Sequence, residues 1–322
     1  MLVRLAAALL LITGSIGAEA QQGARPYRIG FVTTGAPGAS LEPFRQGLKE
    51  AGYVEGKDVI VEARFASGRQ DLLPDLVTGL IRQKVEVMVV VSTSTALAAK
   101  NATSTIPIVF ASVFDPVAAG IVPSLARPGG NITGSAMGVG GDFGGKWVEL
   151  LKEAMPGMSH AAVLWNSANR SSAQSTEAIQ GAARTLGVKL ELFNARNDAS
   201  LDTALSAIAA SRAQGIIIAP DPHFNANRGK IVRFADSRRL PAVYFFRSFA
   251  EAGGLMAYGA NNADSIRSAA KYVDKILKGA RPGDLPVDQP TRFELVINVR
   301  TAKKLGLKLP QSLLVRADHI IQ

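Results

Sequence analysis

Four consecutive hydroxyl side chains, Ser92, Thr93, Ser94 and Thr95, stand where a β-branched run gives way to the Ala-rich segment Ala96–Lys100. Val85, Val87, Met88, Val89, Val90 and Val91 have the pattern of a parallel strand covered on both faces. A strand that ends in hydroxyls and leads into a helical composition puts free backbone N–H groups beside those oxygens, at an N-cap and first turn. Such a terminus favours an anion, a carboxylate above all. A second strand, Ile106 to Phe110, is followed by Phe114, Asp115 and Pro116, which brings a carboxylate close to the hydroxyl turn. Taken singly, the hydroxyls read as a helix cap and Asp115 as the anchor of a turn. Together on one sheet edge they point to a pocket, because ligands of open α/β sheets bind beyond the carboxyl ends of the strands.

The elements that position these residues alternate along the chain. Tyr27 to Thr33 reads as a first strand, and the loop after it, from Thr34 to the helix start at Ser40, faces the same edge as Ser92. Val59 to Phe65 alternates as a second strand, and Leu73, Leu76, Val77, Leu80 and Ile81 mark the helix that leads to Val85. This βαβαβ order predicts a parallel sheet. The turn residues Arg127-Pro128-Gly129-Gly130-Asn131 read as a crossing to a second lobe. There the strand Ala161 to Trp165 ends at Asn166, Gly215 to Ala219 ends at Pro220-Asp221-Pro222, and Ala242 to Phe246 ends at Arg247. Asn166, Asp221 and the Phe246-Arg247 pair therefore share an edge. Asp264 is expected to cap a long amphipathic helix that Gly279 and Pro282 terminate.

Composition narrows the class. A chain of 322 residues exceeds the usual single core, so two lobes are expected. Residues 1–20 combine Arg4, an apolar run and an Ala18-Glu19-Ala20 cleavage pattern, the marks of a secretory signal peptide, and imply a periplasmic protein. No later stretch approaches 18 consecutive apolar residues, so no direct membrane insertion is expected. The absence of cysteine excludes a disulfide framework, thiolate metal sites and a lipidated cysteine. The formal charge of +10 comes from dispersed Lys and Arg without a nucleic-acid motif, which reads as a solvated surface, and no nucleic acid is expected as a partner.

Several chemical motifs fail on inspection. Gly140 to Lys146, GGDFGGK, fits a phosphate loop in spacing, but Trp147 replaces the required Ser or Thr and no clear strand precedes it. His160, His223 and His319 lack metal-ligand spacing, and no G-x-S-x-G elbow occurs. Asp115 and Asp221 lack a nucleophile or metal with which to act as a catalytic pair. The reading is a binding protein without cofactor or metal, not an enzyme.

Over essentially the whole mature chain the sequence resembles the substrate-binding proteins of the ABC-importer family that includes the tryptophan-binding TrpX-like proteins. The runs that carry the resemblance are FRQGLKEAGYVEGKDVIVEARFASGR, STSTALAAKNATSTIPIVFASVFDPVAAGIVPSLARPGGNITG, ELLKEAMPGMSHAAVLWN, EAGGLMAYG and YVDKILKGARPGDLPVDQPTRFELVINVRTAKKLGLKLPQSLL. The resemblance implies a type I periplasmic-binding-protein fold: two doubly wound parallel-sheet α/β lobes, a hinge and an interlobe cleft. It implies lobe one at residues 21–132 and 259–285, and lobe two at 133–258 and 286–322. By position it implies Ser92 to Thr95 and Asp115 as lobe-one pocket parts, and Asn166, Asp221, Phe246 and Arg247 as lobe-two parts. Phe114 and Phe246 depart from the Gly and Tyr frequent in the family. The implied partners of a monomeric receptor are a small ligand, an ABC permease and its ATPase. A zwitterionic amino acid would set its carboxylate on the helix N-terminus and its amine on Asp115 or Asp221, whereas an aromatic carboxylate would use Arg247. A ligand sensor without a transport partner is the alternative.

Overall fold

The computed structural model describes residues 25–35, 37–38, 40–138, 142–290 and 293–322, so the expected signal peptide lies outside the described residues. The first half of the chain builds β1 (Tyr27–Thr33), α1 (Leu41–Glu50), β2 (Val59–Phe65), α2 (Leu73–Arg82), β3 (Val87–Val91), α3 (Thr93–Ala102), β4 (Ile108–Phe114) and β5 (Ile132–Gly138). These strands form one all-parallel sheet in the order β2-β1-β3-β4-β5. The β-branched run of β3 is buried on both sides for the reason its composition indicates. Val87, Val89 and Val91 pack with Phe44 and Leu48 of α1, while Met88 and Val90 face Val77, Leu80, Ala96 and Ala99 of α2 and α3.

The second sheet is assembled from β6 (His160–Trp165), β7 (Lys189–Asn194), β8 (Gly215–Ile218), β9 (Ala242–Tyr244), β10 (Met256–Ala260), β11 (Phe293–Asn298) and β12 (His319–Ile321). Its order is β12-β11-β10-β9-β8-β6-β7, parallel except for the β10/β11 pair. Among its helices are α4 (Asp142–Ala154), α5 (Arg170–Thr185), α6 (Asp198–Ala210), α7 (Pro222–Ala226), α8 (Arg228–Ser237) and α9 (Arg247–Glu251). Ile217 meets Trp147, Leu151 and Ile179 on one face, whereas Ile216 and Ile218 meet Leu205, Ile208 and Phe224 on the other.

Helix α10 (Asn262–Leu277) follows β10 of the second sheet but packs on the first, its Ile266, Ala269 and Val273 sharing a core with Phe44 of α1. The approach is so close that a Cβ on Gly47 would stand 2.3 Å from the Arg267 carbonyl oxygen. Asn261, not Asp264, caps this helix, its side chain accepting from the N–H groups of Ala263 and Asp264. The last two helices, α11 (Val299–Lys304) and α12 (Gln311–Val315), return with β11 and β12 to the second sheet.

The chain crosses between sheets later than the turn residues indicate. Strand β5 pairs with β4, so the first crossing follows Gly138 rather than residue 132. The Pro-Gly-Gly turn instead stays in the first lobe, where the Gly129 N–H meets the Gly283 carbonyl at 3.2 Å. The third crossing is also later than residue 285, because Val287 and Asp288 donate backbone bonds to Leu125 and Gly134. A strand therefore does precede the GGDFGGK string. Trp147 is nonetheless a core side chain, fully buried and donating to the Tyr258 carbonyl at 2.7 Å.

Candidate functional site

Each sheet has one place where the strand order reverses, and the two places face a common cavity. In the first sheet it lies between β1 and β3, where Thr34 meets Ser92. In the second it lies between β6 and β8, where Asn166 meets Asp221. At such a switch point the two connections leave on opposite faces and open a crevice beyond the strand ends. The resulting cavity has a volume of about 430 Å³, within the range of small-molecule sites, and takes residues from both lobes.

The lobe-one wall is rich in hydroxyls, among them Thr34, Ser40, Ser67, Ser92, Thr93 and Ser112. Ser92 Oγ accepts from the Thr95 N–H at 3.4 Å, lies 2.9 Å from Thr95 Oγ1 and receives the Thr34 hydroxyl at 3.4 Å. Its backbone has φ +105° and ψ 157°, a region almost reserved for glycine, which costs about 1 to 3 kcal/mol. Ser112 also has a positive φ, of 57°, at an irregularity of the β4/β5 pairing. Its N–H donates to Ser265 Oγ at 3.0 Å and its hydroxyl to Asn262 Oδ1, which ties the cavity wall to the start of α10.

The lobe-two wall holds Asn169, Asp221, Asn225, Arg228 and Phe246. Asp221 is 1% exposed and caps α7, with Oδ1 accepting from the N–H groups of His223 at 2.8 Å and Phe224 at 3.3 Å. Oδ2 accepts from Asn166 Nδ2 at 3.0 Å and Asn169 Nδ2 at 2.7 Å. Burial pushes this carboxyl above the ordinary carboxylate range, and the four donors pull in the opposite direction. An apolar surface completes the site. Phe114 of lobe one stands edge-on to Phe245 of lobe two at 4.6 Å between centroids, and Phe245 meets Phe246 at 4.9 Å. Among the described residues no group of three or more His, Cys, Asp or Glu side chains could hold a metal ion.

Residues 29–321 match the family described as ABC transporter substrate binding protein. The chain belongs to that family. A curated relative, the tyrosine-binding protein of Clostridioides difficile (strain R20291), is 24% identical over 266 residues, which is 82% of this chain and 76% of the relative. Among solved structures, a conserved domain protein from Vibrio cholerae O1 biovar eltor is 29% identical, with a TM-score of 0.85 over 92% of this chain and 100% of its own. An ABC domain from Streptococcus pneumonia in complex with L-Trp is 25% identical, with a TM-score of 0.85 and the same coverage. The fold is that of the type I periplasmic binding proteins.

In this substrate-binding protein, seven of the residues singled out from the sequence, Thr34, Ser40, Ser92, Thr93, Phe114, Asp221 and Phe246, line the cavity. Four expected residues stand elsewhere. Thr95 is fully buried beneath Ser92, and Asn166 lies behind Asp221 as one of its donors. Asp115 serves the turn after β4, where Oδ1 accepts from the Ala118 N–H at 2.9 Å. Arg247 points away to Glu251 at 2.7 Å and Glu294 at 3.6 Å, so both of its neighbours are carboxylates of its own lobe. Ser112, Asn169, Asn225, Arg228 and Asn262 line the cavity without having been singled out from the sequence. A basic residue opening a helix, as Arg228 opens α8, is the one local signal among them, because it opposes the helix dipole.

Proposed function

We propose that this chain is the receptor of an ABC importer, exported to the periplasm, which takes a small organic acid with an apolar body into the interlobe cavity and presents it to a permease and its ATPase. The observation that carries the reading is the cavity itself. Its polar groups come from both lobes, from strand ends and from the helices that follow them, and Phe114 and Phe246 add flat apolar surface. The named ligands of the relatives, tyrosine and L-Trp, are α-amino acids whose carboxylate and aromatic body agree with that lining. Each charge-assisted hydrogen bond contributes about 1.5 to 3 kcal/mol net, so three or four with apolar packing give roughly micromolar affinity after the costs of association. No bond-making is asked of the protein. A thermal-shift screen of amino acids and of aromatic and aliphatic acids tests the reading, followed by calorimetry and mass spectrometry of the recovered compound. The expected outcome is a ligand that raises the melting temperature and is recovered unchanged. A cavity indifferent to every such acid, or a chemically altered compound, contradicts it.

A further inference from the structure

The two charged side chains of the cavity are not equally available to a ligand. An ionised carboxylate offers about four acceptor positions, and Asp221 has all of them filled by N–H donors of the protein: His223, Phe224, Asn166 and Asn169. Among the described lining residues it is the only carboxylate. An ammonium group entering the cavity thus meets hydroxyls and amides but no carboxylate with an acceptor site to spare, and an imperfectly paired ammonium out of water is unfavourable.

Arg228 is the opposite case. It lies exposed at the mouth of the cavity, where Nη1 donates to the Asn225 carbonyl at 3.1 Å. No carboxylate among the described residues stands within ion-pair distance of it, and among the described lining residues of the cavity it is the only cation. It also occupies the first position of a ten-residue helix, where a cation opposes the dipole, so helix stability does not account for it.

Resting on the receptor reading above, we propose that Arg228 is a specificity-determining residue and that the cavity selects an organic acid lacking an α-ammonium over the corresponding zwitterionic α-amino acid. The carboxylate of the ligand pairs with the Arg228 guanidinium, and its apolar body lies against Phe114 and Phe246. Selectivity arises from the amine, which finds no free carboxylate, as much as from the attraction of the acid.

Calorimetry with matched pairs that differ only in the ammonium group tests this on the full mature chain. The pairs are 3-phenylpropanoate and L-phenylalanine, 3-(4-hydroxyphenyl)propanoate and L-tyrosine, indole-3-propanoate and L-tryptophan, and 4-methylpentanoate and L-leucine. In every pair of which a member binds, the des-amino acid is expected to bind about ten-fold or more tightly than its partner. Arg228→Gln is expected to weaken that acid about five-fold or more and to flatten the salt dependence of its affinity, with the melting temperature nearly unchanged. An amino acid that outbinds its des-amino partner overturns the proposal and leaves the receptor reading standing. Equal affinities within a pair, or an Arg228→Gln variant that binds the acid normally, overturn it as well. If no member of any pair binds, the proposal and the receptor reading fall together.

Discussion

Asn169 donates its side-chain amide to Asp221 Oδ2 across 2.7 Å, the shortest of the four bonds that hold this buried carboxylate. Asn169 lies beyond the end of β6 and Asp221 beyond the end of β8, so the bond joins the two strands at the reversal of the second sheet. Replacing Asn169 by Ala leaves a buried carboxylate short of one donor, at a cost of about 1 to 3 kcal/mol. The melting temperature should fall by several degrees. The vacated acceptor position should also shift selectivity toward α-amino acids, which calorimetry with the matched pairs reads.

Thr93 and Thr95 should part company. Thr93 lines the cavity, whereas Thr95 is fully buried and bonded to Ser92 Oγ. Thr93→Val keeps the bulk but removes a hydroxyl from the wall, so affinity should fall about five- to thirty-fold while folding changes little. Thr95→Val should instead lower stability by about 1 to 2 kcal/mol and leave affinity nearly intact. Paired melting and calorimetric measurements on both variants decide it.

How far the sequence discloses this site depends on how local the determinant is. The end of β3 and the Ser92 cap are visible because strand composition and a hydroxyl turn adjoin in the chain. Asp221 is visible because it stands alone between two prolines after an apolar run. Arg247 is a mixed case: its nearer partner, Glu251 at i+4, is a local pair that the sequence shows, whereas Glu294, on β11, lies 47 positions away and no local pattern reveals that contact. Ser112 is hidden for a similar reason. It lies beyond the strand read as ending at Phe110, and only the longer β4 with its register shift against β5 brings its hydroxyl to Asn262. The late first crossing follows the same rule, because a Pro-Gly-Gly turn announces a change of direction but not which sheet receives the next strand.

Phe114 joins the lobes through its edge contact with Phe245 and also faces the cavity. Phe114→Ala should therefore lower both stability, by about 2 kcal/mol for a partly buried aromatic, and affinity for an apolar acid, by about ten-fold or more. Phe114→Leu should restore most of the stability and less of the affinity, because a branched chain fills space without offering a flat face.

The return of α10 to the first lobe is pinned in part by Tyr53, whose hydroxyl donates to Asp274 Oδ1 at 3.0 Å. Burial and this bond push the phenol up to about 12. Asp274 is held below the ordinary carboxylate range by Lys278 first and by Tyr53 after burial is counted against it. A raised phenol contributes stability that is complete below its ordinary value of 10.0 and is lost as pH rises from there toward about 12. A lowered carboxyl contributes stability present above 3.8 and lost as pH falls through its folded value. Tyr53→Phe should therefore remove part of the alkaline fall in melting temperature and leave most of the acid limb, since Lys278 stays beside Asp274 at 2.7 Å. Asp274→Asn should flatten the acid limb. Melting curves from pH 3 to 11 check both.

The central claim is that a small organic acid binds between the lobes, and a variant that blocks the cavity tests it most directly. Ala226, the last residue of α7, is exposed and lines the cavity, and a Cβ on Gly68 of the first lobe would stand 3.9 Å from its own. Ala226→Trp fills that space with an aromatic ring while leaving both cores untouched. With the tightest acid found in the screen, calorimetry should show at least about a hundred-fold loss of affinity, together with a melting temperature of the free protein within a few degrees of the original. Unchanged affinity in a folded Ala226→Trp variant would contradict the account, because the ligand would then bind somewhere other than between the lobes.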